Sequence, residues 1–197
     1  MAITRITTPS ITDDAVDNTK LDLTSNYAFT GTVTGTDGGI SQIDYWLYNN
    51  STNLSAKTFT VLTNWARPTD ADDEYGRIGT GMTHSSGVFT FPETGIYDAT
   101  CMLTFQESSA NSPINYNEMQ ITDDGGTTWD SASTSFAHVE NTSPAQNSAS
   151  MSSFTIDVSN TSNVKLRIRG YGDEAIAVVG DANVAYSYIK FTRIGDT

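Results

Sequence analysis

From Ile40 to the C-terminus, apolar residues alternate with Thr, Ser, Asn and Asp in short runs that end at Gly, Pro or Asp clusters. A period of two sends successive side chains to opposite faces of a strand, so each run predicts a half-buried strand. "IDYWLYN" is the first run and "AKTFTVLTNW" the second, followed by the long polar, Gly-rich stretch "RPTDADDEYGRIGTGMTHSSG". "GVFTFP" then breaks at Pro92, turns on "ETG" and re-enters "GIYDATCMLTFQ", where Tyr97, Ala99, Cys101, Leu103 and Phe105 share one face. "INYNEMQIT" reaches "DDGG" and continues into "TTWDSASTSFAHVE", a hairpin pattern. "MSSFTIDVS" places Phe154, Ile156 and Val158 on one face. "SNVKLRIRGYG" places Val164, Leu166 and Ile168 on one face and Lys165, Arg167 and Arg169 on the other, and "NVAYSYIKFTRI" closes the chain. Roughly eight to ten short strands with little helical periodicity indicate an all-β protein, an antiparallel sandwich or jelly roll.

Residues 1–40 break the pattern and end at the Gly-rich "GTDGG". They read as an extended N-terminal arm, with the jelly-roll domain at 41–197. "SITDDAVDNTKL" can hold a short helical turn, with Thr12 as cap and Asp13 and Asp14 near its positive end. Ile3, Ile6, Ile11, Val16, Leu21 and Leu23 make the arm too apolar for a free tail, so it is expected to pack on its own neighbours or on a partner.

Charge narrows the partners. The 197 residues include 23 acids against 10 Lys and Arg, a formal net charge of −13. Such a surface repels nucleic acid and anionic lipid, so neither is expected as a direct partner. No apolar run approaches the roughly 20 residues that span a bilayer, and the first twenty residues lack the continuous apolar core of a secretory signal. The single cysteine, Cys101, rules out an intrachain disulfide and a Cys-based metal site, in keeping with synthesis in a reducing cytosol.

The bend itself resembles a known family. "GVFTFPETGIYDATCMLTF" matches, at Gly87, Phe89, Pro92, Gly95 and Tyr97, the "G-x-F-x-x-P-x-x-G-x-Y" pattern of the complement and tumour-necrosis-factor-like jelly rolls. The C-terminal "SFTIDVSNTSNVKLRIRG" and "ANVAYSYIKFTRI" resemble that family's last strands, so the likeness covers about residues 55–195. Pro92 lacks the N–H that would continue a ladder, Gly95 permits a tight re-entry, and Phe89 and Tyr97 are expected to pack across the bend. The resemblance implies a two-sheet, tumour-necrosis-factor-like fold and a homotrimer built around aromatic and aliphatic side chains. Separately, "SITDDAVDNTKLDL" resembles the "I-T-D-x-A-V-x-x-x-K-L" segments near the start of bacteriophage fibre and virion surface proteins.

Chemical candidates are sparse. His84 and His138 lie far apart, and no "G-x-S-x-G" elbow accompanies them, so hydrogen-bonded or surface histidines are the simpler reading. Cys101 falls on an apolar strand face and reads as a buried, inert thiol. Asp70, Asp72, Asp73 and Glu74, ahead of Gly76, form a candidate calcium loop, with a solvated acidic loop as the simpler alternative. Trp46, Trp65 and Trp129 can stack on sugar rings or pack in a core or interface. Lys165, Arg167 and Arg169 form a basic stripe whose simpler reading is pairing with acids on a neighbouring strand or subunit, with anion binding as the alternative.

The strand after the bend and the closing strand carry apolar residues on both faces, more than one sandwich core needs. Tyr97, Tyr186 and Tyr188 are therefore expected at a subunit contact. The reading that unites these features is a non-enzymatic bacteriophage virion protein without a cofactor. It would be a trimeric jelly-roll capsid decoration or short fibre protein, made in the host cytoplasm and placed on the virion surface. Ile3, Ile6, Ile11, Val16 and Leu21 would anchor its arm on other virion proteins. The rival reading is a carbohydrate-binding adhesin that recognises a host surface glycan; an enzyme is a third.

Overall fold

The computed structural model describes residues 40–68, 76–107, 110–142 and 145–197. The described residues lie in the compact unit Asp37–Thr197 and contain strands but no helix. In chain order the strands are β1 (Gln42–Tyr48), β2 (Thr52–Leu54), β3 (Thr60–Val61), β4 (Trp65–Ala66), β5 (Thr83–Ser85), β6 (Val88–Thr90) and β7 (Gly95–Glu107). They continue as β8 (Ser112–Thr122), β9 (Asp130–Val139), β10 (Asn147–Val158), β11 (Lys165–Gly172), β12 (Ile176–Val178) and β13 (Tyr188–Gly195). All pairings are antiparallel.

Two sheets result. In the first, β7 pairs with β10 along one edge; along the other it pairs with β13 and then with β12. β1 and β4 extend the sheet beyond β13, and β2 extends it beyond β12. The second sheet has the order β5-β6-β11-β8-β9, with β3 joining β11. Their inner faces meet in one apolar core. It includes Phe89 and Leu166 from the second sheet and Tyr97, Leu103, Phe105, Ile156 and Phe191 from the first.

The bend carries the chain from one sheet to the other. β6 ends at Thr90 in the second sheet, Pro92 follows, and β7 starts at Gly95 in the first. Gly95 enters β7 with a φ of 145°, while Gly87 (86°) and Ser86 (51°) take positive φ in the turn from β5 to β6. The ring that packs on Tyr97 across the bend is Phe91, at 4.9 Å, not Phe89. Phe89 stands two residues farther from the turn and packs on Phe191, at 5.2 Å. Tyr97 closes the corner by donating its hydroxyl hydrogen to the Glu93 carbonyl at 3.1 Å.

Cys101 is fully buried between Ala99 and Leu103, and burial pushes its thiol far above the usual range. A polar cross-tie lies beside it: Asn117 Nδ2 on β8 donates to the carbonyls of Cys101 (3.0 Å) and Ser150 (2.9 Å) in the other sheet. Another tie fixes β1. Asp44 is buried and accepts hydrogen bonds from Arg67 Nε (2.9 Å), Arg67 Nη2 (2.8 Å), the Met82 N–H (2.6 Å) and Trp46 Nε1 (2.8 Å). An uncompensated buried carboxylate would be costly, and these donors remove that cost while pinning the Arg67 and Met82 segments to β1.

Two sequence expectations are revised. "AKTFTVLTNW" is not one strand: β3 lies in the second sheet and β4 in the first, because the chain crosses between them at Leu62–Asn64. There the Leu62 N–H bonds to the Ile168 carbonyl, and the Asn64 carbonyl accepts from the Asn49 N–H. The closing strand starts at Tyr188 rather than Asn183, since Asp181 Oδ1 accepts the N–H groups of Asn183 and Val184 in a turn. Strands β2, β5 and β12 were not expected; each has only three residues, too few to show alternation.

Gly95→Ala tests the bend. An added Cβ would come within 2.5 Å of Arg193 Nε and 2.8 Å of the Gly195 carbonyl oxygen, at a φ that a side chain disfavours. The variant is expected to lose about 1–3 kcal/mol by chemical denaturation with the fold unchanged. Wild-type stability would contradict this account of the corner.

Candidate interaction surfaces

The first surface is the outer face of the first sheet. Alternation turns Tyr45 on β1, Tyr188 on β13, Met102 on β7 and Met151 on β10 away from the core. Registry then lines them up: Tyr188 pairs with Met102, and Met102 pairs with Met151. Tyr45 and Tyr188 stack at 4.9 Å. Met151 is 60% exposed, and Tyr186 and Val184 just before β13 are each 46% exposed. Beside them Tyr45, Asn183, Val184 and Ala185 line an open groove of ≈ 470 Å³. The result is an apolar band across four strands, on a face where a solvated sheet would carry polar residues.

Of the three tyrosines expected at a subunit contact, Tyr186 and Tyr188 lie on or beside this band, and Tyr97 does not. Tyr97 is 1% exposed, inside the core of the single chain. Its position on β7 has the parity of Ala99 and Cys101, which face inward, so it is corrected from interface to core. Burial and the nearby Glu93 carboxylate push its hydroxyl up to about 12. Tyr45, Met102 and Met151 were missed because single outward apolar residues on separate strands form no pattern until registry brings them together.

The second surface is the outer face of the second sheet. β11 turns Lys165, Arg167, Arg169 and Tyr171 outward, opposite Thr122, Gln120, Glu118 and Tyr116 of β8. Arg169 pairs with Glu118, Nη2 to Oε2 at 2.6 Å, so one of the stripe's three cations has an acid partner on a neighbouring strand. Arg169 also lies over the Phe59 ring at 4.4 Å, while Arg167 lies over Trp129 at 4.2 Å. Beyond Arg169, the rings of Phe59, Tyr116, Phe136 and Tyr171 pack on one another at centroid distances of 4.8–5.5 Å.

At the Lys165 end the β8–β9 turn is held by Asp124. Its carboxylate accepts from the Thr127 and Thr128 N–H groups and from the Thr122 and Thr128 hydroxyls. These donors, Thr128 N–H foremost, hold the carboxyl far below its ordinary value of 3.8. Trp129 is fixed by its Nε1–H to the Gly126 carbonyl at 3.1 Å. Of the three tryptophans considered for sugar stacking, Trp46 and Trp65 belong to the core, and only Trp129 reaches this surface.

His84 Nε2 accepts the Gly87 N–H at 3.1 Å and its ring packs on Phe89; burial lowers its affinity for a proton. His138 is exposed beside Glu140. Among the described residues, no group of three or more His, Cys, Asp or Glu is placed to hold a metal ion. Asp70, Asp72, Asp73 and Glu74, and the arm residues Ile3, Ile6, Ile11, Val16 and Leu21, lie outside the described residues.

Solved structures share this architecture. Eiger TNF from S. frugiperda matches with a TM-score of 0.55 at 12% identity, covering 79% of this chain and 93% of its own. Murine APRIL at pH 5.0 matches with a TM-score of 0.53 at 12% identity, covering 77% of this chain and 98% of its own. The fold is a tumour-necrosis-factor-like jelly roll. At such identity the likeness fixes the jelly-roll fold and leaves the role to be argued from this chain's own surfaces. No family model matches the sequence, and no curated protein matches it.

The Asp124 turn gives a pH prediction. A carboxyl whose folded-state affinity for protons is depressed adds stability above its ordinary value of 3.8, and that stability is lost as pH falls through the lower folded value. Trp129 emission is expected to be flat from neutral pH to about pH 4 and to shift only in stronger acid. In Asp124→Asn, which weakens the acceptor, the shifted emission is expected already at pH 7. An unchanged spectrum in that variant would show that Asp124 does not hold the turn.

Proposed function

We propose that this chain is a non-enzymatic structural protein that works as a homotrimer on the surface of a bacteriophage virion, as a capsid decoration or short fibre protein, with residues 1–40 as its attachment arm. The observation that carries the reading is the apolar band of Tyr45, Tyr188, Met102 and Met151 on the outer face of the first sheet, flanked by Tyr186 and Val184. A monomer leaves this band in water at a cost of about 25 cal/mol per Å² of apolar surface. Packing of three copies around a three-fold axis covers it and keeps the tyrosine hydroxyls at a rim where they find polar partners. The tumour-necrosis-factor-like fold supports an assembly of this kind, and the "SITDDAVDNTKLDL" resemblance supports the phage setting.

Charge opposes the assembly. Each chain brings a net charge of −13, so apolar burial has to outweigh the repulsion between three of them, and added salt should tighten the contact. The basic stripe does not relieve this, since it lies on the other sheet.

Sedimentation is expected to show a species of three times 21.3 kDa at micromolar concentration, and Tyr188→Asp is expected to sediment as a folded monomer. A wild-type monomer would overturn the trimer and the surface role built on it. Removal of residues 1–25 is expected to leave the trimer intact and to abolish incorporation into the parent particle. Full occupancy by the truncated chain would remove the anchoring role from the arm.

A further inference from the structure

The second sheet carries a cleft that the structural role does not use. Ser85, Val88, Thr90, Gly125, Gly126, Trp129, Lys165 and Arg167 line an open cavity of ≈ 430 Å³, within the range of about 300–1,000 Å³ typical of small-molecule sites. It lies between the β5–β6 edge, β11 and the Asp124 turn. From these observations we infer that it binds a saccharide bearing a carboxylate.

Charge supplies the first argument. Two of the chain's 10 basic residues meet in this cleft although the molecule as a whole is strongly acidic. Among the described residues, no carboxylate lies within ion-pair distance of Lys165 or Arg167, whereas Arg169, the next outward residue on β11, is paired with Glu118. The nearby Asp124 carboxylate is turned onto the amides and hydroxyls of its own turn.

Preorganisation supplies the second. Arg167 is held by Nε donating to Gln120 Oε1 at 2.8 Å and by stacking on Trp129. Its terminal Nη hydrogens meet no acceptor among the described residues, and a fixed planar fork of such donors matches a carboxylate with two parallel hydrogen bonds. Lys165 is tethered through Nζ to the Gly125 carbonyl at 3.0 Å and retains further donors.

The lining distinguishes a sugar from a bare anion. Trp129, with Arg167 over its ring, and Val88 line the cleft beside the two cations and give it an apolar wall for the C–H groups of a sugar ring. The Ser85 and Thr90 hydroxyls stand on the opposite edge, where each can donate to or accept from a ring hydroxyl. An inorganic ion would use the two cations and leave this wall idle. Because the cleft and the apolar band lie on different sheets, the inference stands or falls independently of the trimer.

The test is titration of the full-length protein with 3′-sialyllactose, its neutral parent lactose, a galacturonate trisaccharide and inorganic phosphate, followed by Trp129 emission and by amide shifts. Trp46 and Trp65 are core residues, so Trp129→Phe identifies the responding fluorophore. Sialyllactose is expected to bind and to weaken with salt, and lactose to bind at least about tenfold more weakly. Arg167→Gln is expected to lose about tenfold or more, with Arg167→Lys restoring only part because it keeps charge without the fork. Trp129→Phe, which leaves the charges intact, provides a second variant should Arg167→Gln fold poorly, and its affinity by amide shifts is expected to fall as well. Three results would overturn the inference. These are equal affinity for lactose, phosphate binding as tightly as sialyllactose with no effect of Trp129→Phe, and no binding of either sialyllactose or a galacturonate trisaccharide.

Discussion

The fold depends on β7 having hydrogen-bond partners along both edges of its 13 residues. A strand of that length in the middle of a sandwich cannot leave N–H and C=O groups unpaired in the interior. β10 satisfies one edge, while β13 and β12 share the other. The inward side chains of β7, from Tyr97 to Phe105, are then committed to the core, and its outward ones to the opposite surface. The buried thiol, the correction of Tyr97 and the exposure of Met102 all follow from that single alternation.

The two surfaces differ in kind because their sheets differ in composition. On the first sheet one cross-strand row of outward residues, Tyr45, Tyr188, Met102 and Met151, is aromatic or thioether, and registry gathers it into an apolar band beside polar outward residues such as Thr100, Lys190 and Ser153. On the second sheet the outward residues of β11 are cationic, and their neighbours on β8 are Gln120 and Glu118. Burial in the first case and hydrogen bonding in the second are the available sources of binding energy. The two cation–π contacts on the second sheet also restrain Arg167 and Arg169, which lowers the entropic cost of using them.

Polar groups in the interior add specificity to a core that is otherwise apolar. Asn117 reaches across the sandwich to two carbonyls of the first sheet, and Asp44 gathers donors from three separate segments. Each works only in the native registry, since a slip by one residue would leave a buried polar group without partners.

Alternation along the chain was enough to determine the fold class, the bend at Pro92, the inward face of β7, the burial of Cys101 and the basic stripe of β11. These are local properties: a period of two, a missing N–H and a left-handed glycine act over a few residues. The turn at Asp124 was legible for the same reason. Only the tertiary structure decided which apolar residues share a surface. Tyr45, Tyr188, Met102 and Met151 come from four strands spread over more than a hundred residues and meet through antiparallel registry. The cleft joins Trp129 to Arg167 and Ser85 in the same way. Tyr97 shows the converse: its chemistry resembles that of Tyr188, but it shares its face of β7 with Ala99, Cys101, Leu103 and Phe105, so alternation along the strand sends it inward, whereas the meeting of Tyr188 with Met102 and Met151 depends on how the strands register.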